Sequence, residues 1–390
     1  MEEMDRKIER ILDDLIKFRR ELHRFPELGF REYRTAEKTA GYMRALGLEV
    51  AEGVGGTGVV GLLRGKGEGP TVALRACLDA LAIEERSGVP FASENEGVMH
   101  ACGHDGNMTM VLGAANILSQ YADRLNGNVK FVFQASEEDT GGAAAVIREG
   151  VLENPRVDAI VTPHNWPGIA QGLFVVKPGV LMASSDIFRL EIKGKPGHGA
   201  WPHLAVDPVV VAADVVSALQ NIVSREIDPM QTAAISIGKI HGGTAVNIIP
   251  ESVVLDGTVR AFDPGVRNFI QARIGEVAEG IAHSARARCD LTYDRVMPPL
   301  INDGNLTAQA GAILREALGP DAVSDDFAPV MGCEEFSLFQ ERIPGLFLYV
   351  GNDAEGDDFP LHSPEYRFND AIIAPAVKAL AAIALNYRKN

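Results

Sequence analysis

The sequence has few cysteines and no long apolar run, and these absences exclude several classes of protein. Four cysteines among 390 residues are too few and too scattered for a disulfide framework. No stretch approaches the roughly 18 consecutive apolar residues of a membrane-spanning helix. The first twenty residues, MEEMDRKIERILDDLIKFRR, also lack the apolar centre of a secretory signal. We therefore expect a cytoplasmic protein that does not bind a membrane and keeps its cysteines as thiols.

Clusters of basic residues are also missing. The net charge of −16 and the isoelectric point near 5.1 would repel a phosphate backbone, which makes nucleic acid an unexpected partner. A content of 46% hydrophobic and 23% charged residues is typical of a globular protein. Because a single hydrophobic core seldom grows beyond about 250–300 residues, the length predicts two domains.

The order of predicted helices and strands indicates an α/β protein. Apolar residues at helical spacing predict a helix over 8–22, and a second helix is expected over 35–47 with the Thr35 hydroxyl as its cap. The apolar runs 59–63 and 71–74 flank the turn sequence GKGEGP and together predict a hairpin.

Further along, continuous apolar runs at 129–133 and 159–161 predict strands that are buried on both faces, with a helix between them.

The middle of the chain has a different pattern. Its elements are expected in the order β-α-β-β-α-β, which is typical of a ferredoxin-like unit. They are strand 187–192, helix 208–224, strands 233–240 and 253–259, helix 266–285 and strand 289–293. After them a helix, a strand and a helix at 306–318, 345–350 and 372–387 return to the first pattern. We therefore predict a larger α/β domain from 1–183 and 297–390, interrupted by a smaller domain over 184–296.

Two side chains that bind metals well are close together in the segment HACGHD. Cys102 and His104 are two residues apart, so in an extended stretch both would point to the same side and could hold one cation. The spacing leaves a second interpretation open, since a buried thiol and a hydrogen-bonded imidazole are also ordinary core residues.

Two adjacent carboxylates, Glu137 and Glu138, follow the predicted buried strand 129–133. Functional sites in open α/β sheets gather beyond the carboxyl ends of strands. At such a position one carboxylate could bind a cation while its neighbour faces a water. The alternative is a solvated acidic loop, because Asp139 comes next.

Two single histidines occupy comparable positions. His164 follows the predicted strand 159–161, and His362 lies in a polar loop before the last helix. Each could instead be an ordinary turn residue, and spacing alone does not bring them to the other candidates.

Seven segments, in order along nearly the whole chain, carry a more specific signal. They are RRELHRFPELGF, MHACGHD, QASEED, PHNWPG, MASSDIFRLEIKGKPGHGAWPH, HGGTAVNIIPE and LHSPEY. This combination resembles the di-metal aminoacylase/carboxypeptidase family, and most of all its hippurate hydrolase and plant auxin-conjugate hydrolase branch. The resemblance implies a mixed-sheet catalytic domain of the di-zinc exopeptidase type with an inserted ferredoxin-like lid that forms a homodimer. It also implies cleavage of the amide bond of N-acyl amino acids.

The resemblance further implies roles for ten residues. Two divalent ions, zinc or manganese, would be held by five ligands, with Cys102 bridging the two ions: Cys102, His104, Glu138, His164 and His362. Glu137 would be the general base and Asp79 would orient the metal site. His198 and Asn247 would stabilise the oxyanion, and Arg260 would bind the substrate carboxylate. The last three also suit ordinary polar turn or strand positions.

The implied chemistry meets the needs of amide hydrolysis. A metal lowers the pKa of bound water towards about 7 and polarises the carbonyl. A carboxylate such as Glu137 can then take a proton from that water and pass it to the leaving amine.

The sequence departs from the branch at four positions. Cys77 stands where the branch usually has Asp, Asn107 where it commonly has His, and Ser136 and Glu335 lie in motifs that usually differ. These departures leave every implied ligand in place, but they leave the substrate and the preferred metal open.

Three other functions remain as alternatives. A cysteine amidase would use Cys102 as nucleophile and His104 as base. A degenerate relative would bind acylated amino acids without cleaving them. An amidohydrolase or deaminase could also act on an unusual small aryl amide or amine.

Overall fold

The structure, a computed structural model, describes residues 2–353 and 359–389. The helices, in chain order, are α1 (Glu2–Arg24), α2 (Tyr33–Ala45), α3 (His104–Ser119), α4 (Gly142–Arg148), α5 (Pro208–Asn221), α6 (Pro264–Ser284), α7 (Gly304–Leu318), α8 (Phe336–Gln340) and α9 (Ile373–Asn386).

The strands in the first half of the chain are β1 (Glu49–Val54), β2 (Gly58–Arg64), β3 (Gly67–Cys77), β4 (Asn126–Gln134), β5 (Ala159–Ala170), β6 (Phe174–Val175), β7 (Gly179–Met182) and β8 (Ser185–Lys193). Those in the second half are β9 (Gly197–His198), β10 (Ala233–Gly242), β11 (Ile248–Ile249), β12 (Ser252–Ala261), β13 (Arg288–Met297), β14 (Leu300–Asn302), β15 (Val323–Ser324) and β16 (Gly345–Asp353).

These elements form two compact units. The first unit consists of Met1–Gly179, Ile301–Ala328 and Leu338–Asn390, and the second of Val180–Leu300 and Pro329–Ser337. None of the helices in the described part of the chain combines the length and apolarity needed to cross a membrane.

The first unit is built on a mixed sheet with the strand order β1-β2-β4-β3-β5-β16-β6-β15. Its central strands β4, β3, β5 and β16 run parallel, so their carboxyl ends meet at one edge of the sheet. Helix α3 is buried on almost every side, and its apolar sequence follows from that position. Gly113 lies where α3 meets α1 and α9, and a side chain there would collide with Leu15 and Val377.

The second unit has the predicted ferredoxin-like arrangement. Its antiparallel sheet has the order β10-β12-β8-β13, and α5 and α6 supply the helices between the strands. Alternate residues of β8, including Phe188, Leu190 and Ile192, are fully buried in the core beneath the helices. The α/β fold class with an inserted ferredoxin-like unit is therefore confirmed.

The predicted hairpin is wrong. β2 and β3 are consecutive in sequence, but β4 lies between them in the sheet, antiparallel to β2 and parallel to β3. The turn residues between β2 and β3 indicated a reversal of the chain correctly. They did not show that β3, which is buried along its second half, takes a central position between two parallel partners.

The predicted cap of α2 is also wrong. The helix begins at Tyr33, and Thr35 lies inside its first turn. The Glu27 carboxylate, from the preceding loop, accepts hydrogen bonds from the backbone N–H groups of Arg34 and Thr35 at 3.2 and 2.8 Å. A carboxylate at the positive end of a helix satisfies these donors as well as a local hydroxyl would.

Candidate metal centre

The acidic candidate site residues lie at the edge of the sheet where the parallel strands end. Asp79 lies two residues beyond β3, and Glu137 and Glu138 follow β4. His164 lies within β5, opposite Tyr349 of β16, and not in a loop after a shorter strand as we expected. The strand continues beyond its apolar run, and its polar residues Thr162, His164 and Asn165 are buried.

The side chains of Cys102 and His104 are brought together by a different backbone geometry from the one that the sequence suggested. Gly103 has a left-handed conformation with φ of 73°, and His104 is the first residue of α3. The segment is therefore a turn into a helix and not an extended stretch. Glycine is required at this position because a side chain would collide with Asn165 and lie 2.5 Å from the Tyr366 hydroxyl.

The five predicted ligands converge. The donor atoms of Cys102, His104 and His164 form one group, those of Cys102, Glu138 and His362 form a second, and within each group all lie within 4.8 Å of one another. Cys102 belongs to both groups, as a bridging ligand would. Its Sγ is 3.6 Å from His164 Nε2, and Glu138 Oε1 is 3.4 Å from His362 Nε2 and 3.9 Å from His104 Nε2.

This donor set fits divalent cations. Glu138 Oε1 is buried and accepts no hydrogen bond from the residues that the structure describes, which is costly unless the oxygen binds a cation. Thiolate and imidazole ligands suit zinc, and carboxylate with imidazole also suits manganese.

Backbone contacts fix which imidazole nitrogen faces the centre. His104 Nδ1 is 2.9 Å from the carbonyl oxygen of Asp79, and His164 Nδ1 is 2.7 Å from that of Asn165. A carbonyl only accepts, so both Nδ1 atoms carry a proton, and Nε2 is the nitrogen of each ring that can bind a metal.

The Asp79 carboxylate lies behind this arrangement. Burial by itself raises its pKa, but the His104 imidazole and the backbone N–H groups of Glu138 and Glu137 together hold the pKa below its ordinary value. The Glu138 N–H donates to Asp79 Oδ2 at 2.8 Å. Asp79 is therefore ionised, and its contact with the Glu138 backbone helps to hold the loop that carries Glu138.

Glu137 lies beside the candidate ligands. Only 9% of its surface is exposed. A carboxylate oxygen of Glu137 and the donor atoms of His104 and Glu138 all lie within 4.8 Å of one another.

Two residues of the centre have a left-handed backbone conformation. Ser136, which precedes Glu137, has a φ of 48°, and His362 has a φ of 64°. Residues other than glycine seldom adopt this conformation, and it is concentrated at functional sites.

The remaining three candidates belong to the second unit. His198 forms β9 and pairs with Ile248 of β11, while the backbone N–H of Gly199 donates to the carbonyl of Asn247 at 2.9 Å. His198 and Asn247 are therefore neighbours in an exposed loop region. Arg260 lies on β12, opposite Ala234 of β10. The roles of these three residues toward a substrate stay predictions.

The sequence reasoning missed a buried ionic cluster beside α3. The Asp105 carboxylate is 2.9 Å from His23 Nδ1 and 3.1 Å from an Arg19 nitrogen, and the other His23 nitrogen is 3.1 Å from Glu85. Burial lowers the pKa of His23, but the carboxylates outweigh it and raise the pKa to about 9. The available signal was the position of Arg19 and His23 on the buried face of α1, four residues apart and in line with Leu15.

The chain resembles known proteins in both sequence and structure. The model of Peptidase family M20/M25/M40 matches residues 73–386. The N-acetyl-L-cysteine deacetylase of Bacillus subtilis is 39% identical over 93% of this chain and 85% of its own. The hippurate hydrolase of Campylobacter jejuni is 37% identical over 96% of each chain. The crystal structure of the Bacillus subtilis YXEP protein, a dinuclear metal binding peptidase, superposes with a TM-score of 0.85 at 35% identity, covering 97% of this chain and 98% of that one.

Proposed function

Because this chain belongs to Peptidase family M20/M25/M40 and is a metal-dependent amide hydrolase, we propose that it cleaves the amide bond of N-acyl amino acids such as hippurate, with Glu137 as general base. The observation that carries this proposal is the convergence of four other proposed ligand side chains on Cys102, with the Glu137 carboxylate beside them. Names of similar proteins that act on hippurate and on N-acetyl-L-cysteine support the choice of substrate class.

The proposed ligands are Cys102, His104, Glu138, His164 and His362, and they would hold two divalent ions. When bound, such ions polarise a carbonyl oxygen and lower the pKa of water towards about 7. Glu137 takes a proton from the attacking water as the new C–O bond forms, and returns it to the amide nitrogen as the C–N bond breaks. The products are a carboxylic acid and a free amino acid.

The resemblance assigns substrate roles to three residues of the second unit. His198 and Asn247 have side chains that can donate hydrogen bonds to a developing oxyanion. The Arg260 guanidinium suits the free carboxylate of an N-acyl amino acid, because its two parallel N–H groups match the two carboxylate oxygens.

An aromatic surface next to His164 supports an apolar acyl group. The Trp166 ring stands edge-on to the His164 ring with centroids 6.0 Å apart, and it packs on Tyr349 at 4.5 Å, which in turn packs on Phe327 at 4.5 Å. Trp166 and Phe327 are both partly exposed. A flat group such as benzoyl would bury ring surface there.

A substrate panel tests the proposal against the three alternatives. Hippurate, N-acetyl amino acids, dipeptides and aryl amides are offered to the metal-loaded protein, before and after exhaustive chelation. We expect hippurate-like substrates to turn over fastest and all activity to disappear with the metal.

Each alternative gives a different result. A cysteine amidase would remain active after chelation, a degenerate binder would bind hippurate without releasing glycine, and an aryl amidase would prefer the aryl amides. Thiol alkylation alone would not discriminate, because Cys102 is a ligand in one case and the nucleophile in the other.

We also infer a homodimer formed through the second unit. The outer strands of its sheet are β10 and β13, and β10 is exposed along its second half. Val246 and Ile248, just beyond β10, are exposed apolar residues. Pairing with a second copy would cover an edge strand that otherwise promotes aggregation. In such a dimer the exposed His198 would serve the metal centre of the partner subunit.

Mixing two inactive variants tests this shared centre. His198→Ala and Glu137→Gln proteins should each be nearly inactive, and after subunit exchange should recover about a quarter of wild-type activity. Half of the dimers are then mixed, and each mixed dimer has one intact centre. Subunit exchange is verified with differently labelled chains. A monomer by light scattering, or no recovery after verified exchange, would show that His198 acts within its own chain or has no role in turnover.

A further inference from the structure

A buried hydrogen-bond network connects three segments that carry the proposed ligands. Its centre is Asn165, which follows His164 in β5. The Asn165 side-chain amide donates to the Cys102 carbonyl at 2.9 Å and to Asn107 Oδ1 at 3.2 Å, and its oxygen accepts from the Tyr366 hydroxyl at 2.5 Å. The backbone N–H of Asn165 also donates to Asn107 Oδ1, at 3.0 Å.

We propose that Asn107, Asn165 and Tyr366 are positioning residues that hold the ligand-bearing segments at the separation a metal ion requires. This inference rests on the proposed metal centre and adds to it three residues that do not touch the ions. Outer-shell residues of this kind typically contribute about 10–100-fold to metal affinity.

The geometry of β5 explains how one strand serves both purposes. His164 Nε2 lies 3.6 Å from Cys102 Sγ, and the next residue, Asn165, donates its side-chain amide to the Cys102 carbonyl and to Asn107 of α3. Any displacement of Asn165 therefore also displaces His164. The other two partners are equally close to ligands in sequence, since Asn107 is one helical turn after His104 and Tyr366 is four residues after His362.

The network is fully enclosed. Asn165 and Tyr366 have no exposed surface, and Asn107 has 2%. Burial holds the pKa of Tyr366 well above its ordinary value, so its hydroxyl remains a donor. In such surroundings a removed partner is not replaced by bulk water, and the remaining polar groups must shift to find new partners.

The network also gives Asn107 a specific role. Its Oδ1 accepts two hydrogen bonds from Asn165, one from the backbone and one from the side chain. An acceptor is what this position supplies. A carboxylate offers the same acceptors in the same shape, whereas an aliphatic side chain offers none.

Zn²⁺ affinity of the metal-free protein tests the proposal directly. It is measured by competition with a chromogenic chelator for wild type and for Asn107→Leu, Asn107→Asp and Tyr366→Phe. We expect Asn107→Leu and Tyr366→Phe to bind Zn²⁺ about 10–100-fold more weakly. Asn107→Asp should stay near wild type, because it keeps the oxygen that accepts both hydrogen bonds from Asn165.

The chain offers a matched control on the same helix. Asn116, near the other end of α3, donates to the Tyr42 hydroxyl at 3.1 Å and forms an asparagine–tyrosine pair outside the network. Asn116→Leu and Tyr42→Phe should leave Zn²⁺ affinity unchanged. Circular dichroism and thermal unfolding of the metal-free variants establish that each is folded. If Asn107→Leu does not fold, Tyr366→Phe, which removes a single oxygen atom, decides the test.

The outcomes separate this proposal from the one on which it rests. A wild-type protein without a tight Zn²⁺ site overturns both. Wild-type affinity in folded Tyr366→Phe and Asn107→Leu, or an equal loss in the control variants, overturns the positioning role alone.

Discussion

Replacing Glu137 by glutamine is expected to lower kcat by about 10²–10⁴-fold, the usual contribution of a general base. The substitution preserves the shape of the side chain and removes only its ability to accept a proton. Metal content and substrate binding should stay close to wild type, because Glu137 is not among the proposed ligands. Steady-state kinetics with hippurate and metal analysis of the same preparation measure both properties.

The neighbouring Asp139 provides the control for this substitution. Its side chain is exposed in the same loop, so Asp139→Asn removes an acidic group without touching the site. Wild-type turnover in Asp139→Asn and a large loss of turnover in Glu137→Gln would exclude the interpretation that these residues only form a solvated acidic loop. Near-normal kcat in Glu137→Gln would remove Glu137 from its assigned role.

Replacing Glu138 by glutamine is expected to weaken metal binding by more than about 100-fold, the upper end for residues that act only through a ligand. The reason is the position of Glu138 Oε1, 3.4 Å from His362 Nε2 and 3.9 Å from His104 Nε2. Without its negative charge the oxygen attracts a cation much less. Activity should fall with metal content, and excess metal should restore part of it.

We therefore expect the Glu137 and Glu138 variants to respond differently to added metal. Added metal should rescue Glu138→Gln and should not rescue Glu137→Gln. Isothermal titration of both metal-free variants with Mn²⁺ or Zn²⁺ measures the difference. Full metal occupancy of Glu138→Gln at normal affinity would contradict the ligand assignment.

Much of the fold could be predicted because its elements have strong local signals. Apolar periodicity predicts the β-α-β-β-α-β order of the second unit. The observed strands and helices agree with the predicted ones to within a few residues, although α5 ends three residues early, at Asn221.

The order of strands in the first sheet could not be predicted from the sequence. Whether β2 pairs with β3 depends on which strand fills the space between them, and that is decided by β4, about fifty residues further along the chain.

The candidate site was predictable in composition but not in geometry. The family resemblance supplied the identities of Cys102, His164 and the other ligands, whereas spacing gave no reason for them to converge. The turn at Gly103 was missed because a left-handed glycine before a helix looks the same in sequence as glycine in an extended segment.

Asn165 and Tyr366 were missed for another reason. They lie 201 residues apart, and neither is a metal-binding residue type. Their hydrogen bond follows only from the packing of β5 against the C-terminal loop.

Reconstitution of the metal-free protein tests the central claim most directly. The protein is stripped with a chelator, and Zn²⁺ or Mn²⁺ is added back in steps while hippurate hydrolysis and bound metal are measured together. We predict no activity before addition and a plateau at two ions per chain, as expected for the proposed dinuclear centre, because Cys102 belongs to two groups of donor atoms. Full hydrolysis by protein shown to hold no stoichiometric metal would contradict the account.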